Sequence, residues 1–389
     1  MKDQPGTLED QGPETDLYRS WKMPLATVAA SHKVTTGEPV ADQSPPKAVP
    51  ELVLLERPFS SYRPGEWDEF AVASGASFLG SWKVLNARRF LGRIKLFDFL
   101  LPDGSRVPEK VGQCAVQVGR DHARFLDRIY LKPERLDLCG QCFTLVARHL
   151  GAKTYHYGSS WNDEDRLAIA AVPTFVTESV LDRHFHVDVI DLRDWGNFAA
   201  YRRTISENIR RDYRKAHNAA AKVNTRFGLA AFRDLAVLVI LRGHMMRRNK
   251  IRFSLLADWL LHAAKLIILG KNGFVTTARV NGTCYAAFFG TQFGANLYYL
   301  SGGTRKNHLG AGSYLFLNLI ENWFSLRPTG RILMGECRGD HINHTWGAFL
   351  YRRKLRVRSA PGLEFELKLL MPRRDASAQL LLTEVNKSS

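Results

Sequence analysis

Apolar positions along this chain recur with two periods, and the order of those periods points to an α/β protein. Residues 1–50 carry no lasting period. They are rich in Pro, Gly, Ser, Thr, Asp and Gln and read as a disordered tail. Pattern begins near Glu51-Leu52-Val53-Leu54-Leu55. Trp67 to Phe78 reads as a helix and its continuation, and Gly92 to Leu101 as a strand. Pro102-Asp103-Gly104-Ser105 is a hairpin turn signal. Val111 to Gly119 and Ala123 to Leu131 are the next two expected strands. Lys132-Pro133-Glu134-Arg135 then leads to a helix over Cys139 to Leu150, and Thr154 to Gly158 reads as a strand.

The pattern then starts again. A basic helix is expected over Asn197 to Val223, with Phe198, Tyr201, Ile205, Ile209 and Tyr213 as its buried stripe. Helices over Phe232 to Arg247 and Leu255 to Leu269 follow. Strands over Phe274 to Val280 and Thr283 to Thr291 are joined by Asn281-Gly282, the strongest short hairpin signal in the chain. The strand Leu297 to Leu300 leads to a glycine-bearing turn, Asn307 to Gly312, and an apolar helix from Ser313 to Leu326. A strand at Arg331 to Glu336, a helix ending in Tyr351 and a last strand at Leu367 to Met371 close the pattern. The two runs share one order of helices, hairpin, strand, turn, helix and strand, at low sequence identity. They are read as two units, 51–190 and 191–372, with a tail at 373–389.

Bulk composition narrows the function. No run of about 18 apolar residues is present, so no membrane span is expected. The polar, acidic first residues do not read as a secretory leader, and five cysteines suit a reducing compartment, so a cytoplasmic location is expected. The net charge of +17 favours an anionic partner. Residues 191–260 hold 15 Lys and Arg against 6 Asp and Glu, so the basic helix 197–223 is a candidate surface for tRNA or a carrier protein.

The turn before Ser313 carries the chemistry. Gly310 and Gly312 at a strand-to-helix junction let backbone N–H groups face outward at a helix N-terminus, which suits a phosphate anion. The GxGxxG and GxxxxGK[ST] patterns of other phosphate loops are absent. The turn resembles the pyrophosphate loop of the GNAT acyltransferases, Gln/Arg-x-x-Gly-x-Gly/Ala, with Asn307 departing from the first position. In the first unit the matching loop, Arg135 to Gly140, has Leu138 where a glycine belongs. Its side chain is expected to crowd a pyrophosphate, so that unit is expected to be degenerate and without cofactor.

Two tandem GNAT-like units with mixed central sheets resemble the FemAB-like branch of the superfamily. Within it the chain is similar to the BioF2-like, or cellulose-biosynthesis-associated, acetyltransferase domain of bacteria. Three segments carry the resemblance: Glu66-Trp67-Asp68-Glu69-Phe70 with Ser81-Trp82; Arg203 to Arg211; and Tyr299-Leu300-Ser301-Gly302-Gly303 with Gly310-Ala311-Gly312, Arg338-Gly339-Asp340 and Tyr351-Arg352-Arg353. A departure is that His341 to Leu350 stands between the Gly-Asp step and Tyr351.

The resemblance implies transfer of an acyl group, acetyl in the first instance, from acyl-CoA to an amine or hydroxyl. The acceptor would be a small molecule, such as a saccharide or cell-envelope precursor. It implies acyl-CoA (acetyl-CoA) as co-substrate, held by Tyr299, Leu300, Arg305, Lys306, His308, Leu309, Gly310, Ala311 and Gly312. Glu336 and Asp340, with His341 and His344 behind them, are candidate bases, and Tyr351 is the candidate acid for the leaving thiol. Cys337, His341 and His344 have zinc-like spacing but lack a fourth ligand, so no metal is expected. Cys139 and Cys142 form a CxxC read as structural. Two other readings are an aminoacyl-tRNA-dependent Fem-type transferase and a non-catalytic anion-binding scaffold.

Overall fold

A computed structural model of the chain describes residues 52–102, 108–159, 161, 176–305, 309–337 and 347–369. Among these residues thirteen strands join in one sheet: β1 Val53–Arg57, β2 Arg93–Leu101, β3 Glu109–Val118, β4 His122–Phe125, β5 Tyr130–Leu131, β6 Thr154–Tyr157, β7 Val176–Asp191, β8 Lys222–Phe227, β9 Gly273–Val280, β10 Thr283–Phe293, β11 Asn296–Thr304, β12 Arg331–Cys337 and β13 Arg358–Leu369. Their spatial order is β1-β2-β3-β4-β6-β13-β7-β12-β11-β10-β9-β8, with β5 against β3. The helices are α1 Pro64–Ala73, α2 Trp82–Arg88, α3 Cys139–Leu150, α4 Phe198–Thr204, α5 Glu207–Asn218, α6 Phe232–Arg248, α7 Leu255–Leu269, α8 Ala311–Leu326 and α9 Gly347–Lys354.

One motif occurs twice. An antiparallel hairpin, β3/β4 or β10/β11, is followed by a crossover helix, α3 or α8. The chain then returns as a parallel neighbour, β6 beside β4 or β12 beside β11. The halves are stitched by an exchange. β13, the last strand, pairs with β6 of the first half, whereas β7 pairs with β12 of the second; β7 and β13 pair antiparallel with each other. Where they pair, register shifts between Glu366 and Leu367 and between Lys368 and Leu369 each leave an extra residue on β7.

Three cores follow from the pleat. On one face α1, α2, α6 and α7 bury Trp67, Leu85, Leu235, Leu238, Leu266 and Tyr298 in a core that runs under both halves. On the other face α3 covers Phe97, Phe99, Val116 and Tyr155. Helices α4, α5 and α8 cover a third core around Tyr201, Ile209, Phe316 and Ile320.

The expected elements at 139–150, 255–269 and 281–282 stand as read. Asn281 and Gly282 both have positive φ, 48° and 79°, the geometry of a tight hairpin turn. Other expectations shift. The basic helix 197–223 is two helices and the start of a strand. The Thr204 hydroxyl donates to the Tyr201 carbonyl, Ile205 turns extended (ψ 160°), and Ser206 caps α5. Its apolar stripe survives the break, with Tyr201, Ile205 and Ile209 buried. The strand expected over Ala123 to Leu131 is also split: Asp127 has φ 142° and its buried carboxylate binds Ser77 through N–H and Oγ, both at 2.8 Å.

Candidate active site

Strands β11 and β12 stay paired over only three positions, Asn296↔Arg331, Leu297↔Ile332 and Tyr298↔Leu333. Beyond them both strands bulge. Opposite β10, Phe289 faces Ser301 while Gly290 faces Tyr299, so Leu300 is an extra residue in β11. Opposite β7, β12 takes three steps from Leu333 to Glu336 where β7 takes two, and Gly335 has φ 77°. Bulges bend and twist the strands that carry them. Two at the same level pry the parallel pair apart. The half of β11 from Tyr299 to Thr304 then pairs on one edge with β10 and turns its other edge to the opening.

Arg352 of α9 braces the second bulge. It donates to the Met334 carbonyl and the buried Asp188 carboxylate, each at 2.8 Å, and to the Glu336 carbonyl at 3.4 Å. Trp161 packs edge-on against Tyr298 and lies 3.0 Å from where a Gly335 Cβ would stand, so the first half of the chain reaches the opening.

Gly310 closes the opening at the start of α8. Its φ of 68° is left-handed, and a Cβ there would sit 2.5–2.7 Å from Cβ, Cα and the carbonyl oxygen of Asp212 on α5. Only glycine meets both demands. A Cβ at Gly312 would stand 3.2 Å from Cγ2 of Thr304 on β11, so the helix start lies close to the strand end. First-turn N–H groups of a helix have no intrahelical partner, and the dipole favours an anion there. The Gly310 contact also carries α5 to the loop. Its exposed Arg211, Arg214 and Lys215 therefore belong to the neighbourhood of the helix start, a juxtaposition that sequence alone did not show.

An aromatic wall lines the α8 side. Tyr299 packs between Phe288 and Phe316, and Tyr351 stands edge-on to Phe316. The Tyr351 hydroxyl is buried and makes no well-formed hydrogen bond among the described residues, although the Ser313 side chain is nearby. Burial raises the Tyr351 pKa, which keeps the phenol protonated.

The opposite side of β11 holds a polar cluster that the sequence did not reveal. Ser301, one residue past the bulge, lies 2.7 Å from Nε2 of buried His262 on α7. His262 Nδ1 lies 2.8 Å from the Asp258 carbonyl oxygen, so Nδ1 donates and Nε2 accepts the Ser301 proton. Arg242 holds the Asp258 carboxylate at 2.9 and 3.1 Å. Burial first, then the Arg242 charge, lowers the His262 pKa to about 4. The only sequence signal was the polar pair Asp258 and His262 at i, i+4 on the inward side of an apolar helix.

The expected site residues divide as follows. Tyr299, Leu300, Gly310, Ala311, Gly312 and Tyr351 border the opening, with Leu309 and Arg305 at its mouth. Glu336 ends the bulged part of β12. Lys306, Asn307, His308, Asp340, His341 and His344 lie outside the described residues. In the first half, Leu138 stands directly before α3. It is buried in the core with Ile129 and Leu131, and the short 3-10 turn Pro133–Leu138 runs directly into α3. Cys139 and Cys142 are buried there, and burial pushes the Cys142 thiol well up, against a redox role.

No family model matches the sequence, and no curated protein matches it as a relative. Solved structures do resemble it. FemX aligns with a TM-score of 0.61 at 10% identity, over 79% of this chain and 96% of that one. A conserved protein of unknown function from Bacteroides thetaiotaomicron VPI-5482 aligns with a TM-score of 0.50 at 11% identity, over 82% of this chain and all of that one. A tandem GNAT protein from the clavulanic acid biosynthesis pathway gives 0.43 at 13% identity, over 83% of this chain and all of that one. The fold is α/β, with the hairpin, crossover helix and parallel strand occurring in tandem, and it is shared with FemX.

Proposed function

We propose that the chain is an acyltransferase whose donor, acyl-CoA, lies in the opening between β11 and β12. The paired bulges beside a glycine-started helix carry this reading. They leave an edge of β11 for an extended pantetheine arm, an anion site at its end for pyrophosphate, and a donor-lined point between them for the thioester. The acceptor amine or hydroxyl attacks the thioester carbonyl. Negative charge collects on the carbonyl oxygen, which accepts from backbone N–H at the Leu300–Ser301 bulge. The C–S bond breaks and the Tyr351 hydroxyl protonates the leaving thiolate. Glu336 is the candidate base for the acceptor proton, with Asp340 beyond the described stretch. Ser301, its proton held by His262, offers a lone pair to an acceptor N–H or O–H.

Calorimetry of the full chain with acetyl-CoA and a longer acyl-CoA tests this, with Gly310→Asp as the control. Micromolar binding that disappears in the variant supports the site; no binding to either donor removes it.

The position of α5 favours a second reading, in which the donor is an aminoacyl-tRNA whose backbone runs over Arg211, Arg214 and Lys215. Affinity for charged tRNA falling steeply with salt separates this reading from CoA, whose few phosphates give a shallow slope.

A further inference from the structure

Helix α7 faces two ways. Inward it buries His262, Ala263, Leu266 and Leu269. Outward it carries Leu256, Trp259, Leu260 and Ile267, all exposed, Leu256 at 68% and Ile267 at 66%. Their spacing of i, i+3, i+4 and i+11 sets them on one stripe about 16 Å long. Neighbouring segments add to it. Phe90 and Leu91 follow α2, which packs on α7, and Leu229 lies in the 3-10 turn Gly228–Ala231 that also touches α7; Phe90 is 88% and Leu229 82% exposed. A single exposed leucine is ordinary on a protein surface. A cluster of this extent marks an interaction surface.

The charges around the stripe select the partner. Lys250 and Arg252 stand just before its first turn and Lys271 just after its last. Lys83 of α2 reaches over Gly270 at that second end, its Nζ 2.5 Å from where a Cβ would stand. From Phe232 to Lys271 the only carboxylates are Asp234 and Asp258. Both are buried, Asp234 against Arg226 and Arg279, Asp258 against Arg242. Between Trp82 and Arg93 there is none. These segments therefore show solvent apolar and cationic groups without an exposed carboxylate.

We propose that this face docks onto an anionic lipid bilayer. The stripe enters the headgroup region, and the basic residues at both ends meet lipid phosphates. The contact is peripheral: among the described residues no helix is long and apolar enough to cross a membrane. A second copy of the chain fits this face less well. Two stripes laid together in either direction set cations against cations, whereas an anionic bilayer neutralises both ends. This surface is independent of the acyl-transfer reading.

Sedimentation of the full chain with vesicles tests it. The vesicles are phosphatidylcholine alone, or phosphatidylcholine mixed with phosphatidylglycerol. The wild type is expected to bind the mixed vesicles and to release them as salt rises. Leu256→Ser with Leu260→Ser should weaken binding at least about tenfold, with an unchanged melting curve. Lys250→Glu with Lys271→Glu should weaken it as well, and keeps the test open if the serine pair fails to fold. Arg211→Glu with Arg214→Glu, on α5, should leave it within about twofold. The proposal is overturned if mixed vesicles are not bound, or if the serine pair binds them like the wild type. It is also overturned if the wild type is a dimer that the serine pair turns into monomers.

Discussion

Between β4 and β6 the chain crosses from one strand to its parallel neighbour over a 3-10 turn and α3. Between β11 and β12 it does so over a glycine turn and α8. Each parallel pair holds three register positions before the strands part. What fills the parting differs. In the first crossing Ile129, Leu131 and Leu138 are buried beside Phe125 and Phe143, and the Tyr157 hydroxyl accepts from the Ile129 N–H at 3.2 Å. In the second, bulges in both strands and glycines in the loop hold backbone where side chains would otherwise stand. Filling such a space with leucine adds stability, and lining it with backbone leaves it for a ligand. A few residue choices at one junction thus set the two crossings of a repeated fold apart.

That contrast can be broken most sharply at Gly310. In Gly310→Val the side chain meets Asp212 in a left-handed conformation, so donor affinity should fall by roughly 100-fold or more and the melting temperature should drop. Calorimetry and thermal unfolding read both. Leu138→Ala in the first crossing should show the opposite split. It should lose about 2–5 kcal/mol of stability with donor affinity unchanged, measured by denaturant unfolding and the same titration.

The second crossing also carries a titratable group behind its bulge. The folded His262 pKa of about 4 lies below the value near 6.5 of the unfolded chain. Above about pH 6.5 neither state binds the proton and His262 contributes nothing to pH dependence. As pH falls from about 6.5 toward about 4, the unfolded state gains the proton and stability drops, by up to about 1.4 kcal/mol per unit. Denaturant unfolding across this range should give a flatter profile for His262→Gln than for the wild type.

The smallest stability effect is expected at Tyr351. Removing an unsatisfied buried hydroxyl in Tyr351→Phe should change stability by less than about 0.5 kcal/mol while slowing acyl-CoA turnover about 100-fold. Tyr157→Phe, which strands the buried Ile129 N–H, should instead cost about 1–3 kcal/mol and spare turnover. Equal effects of the two changes would erase the distinction between the crossings.

Local pattern carried much of this. Helices α3, α6 and α7, the Asn281-Gly282 hairpin and the order of strand, glycine turn and helix all rest on contacts within a few residues, where periodicity and turn chemistry act. Gly310 and Gly312 were legible for the same reason, since a left-handed helix start demands glycine whatever surrounds it. The exchange of β7 and β13 was not legible, because which strands become neighbours depends on partners far apart in sequence. The same holds for the matched bulges, which exist only as a mismatch between two strands. It holds for α5 against Gly310, and for Ser301 reaching His262 across 39 residues. The outward stripe of α7 is the clearest case. The sequence marks a mostly apolar helix over Leu255 to Leu269, and only packing against the sheet decides which side is left to the solvent.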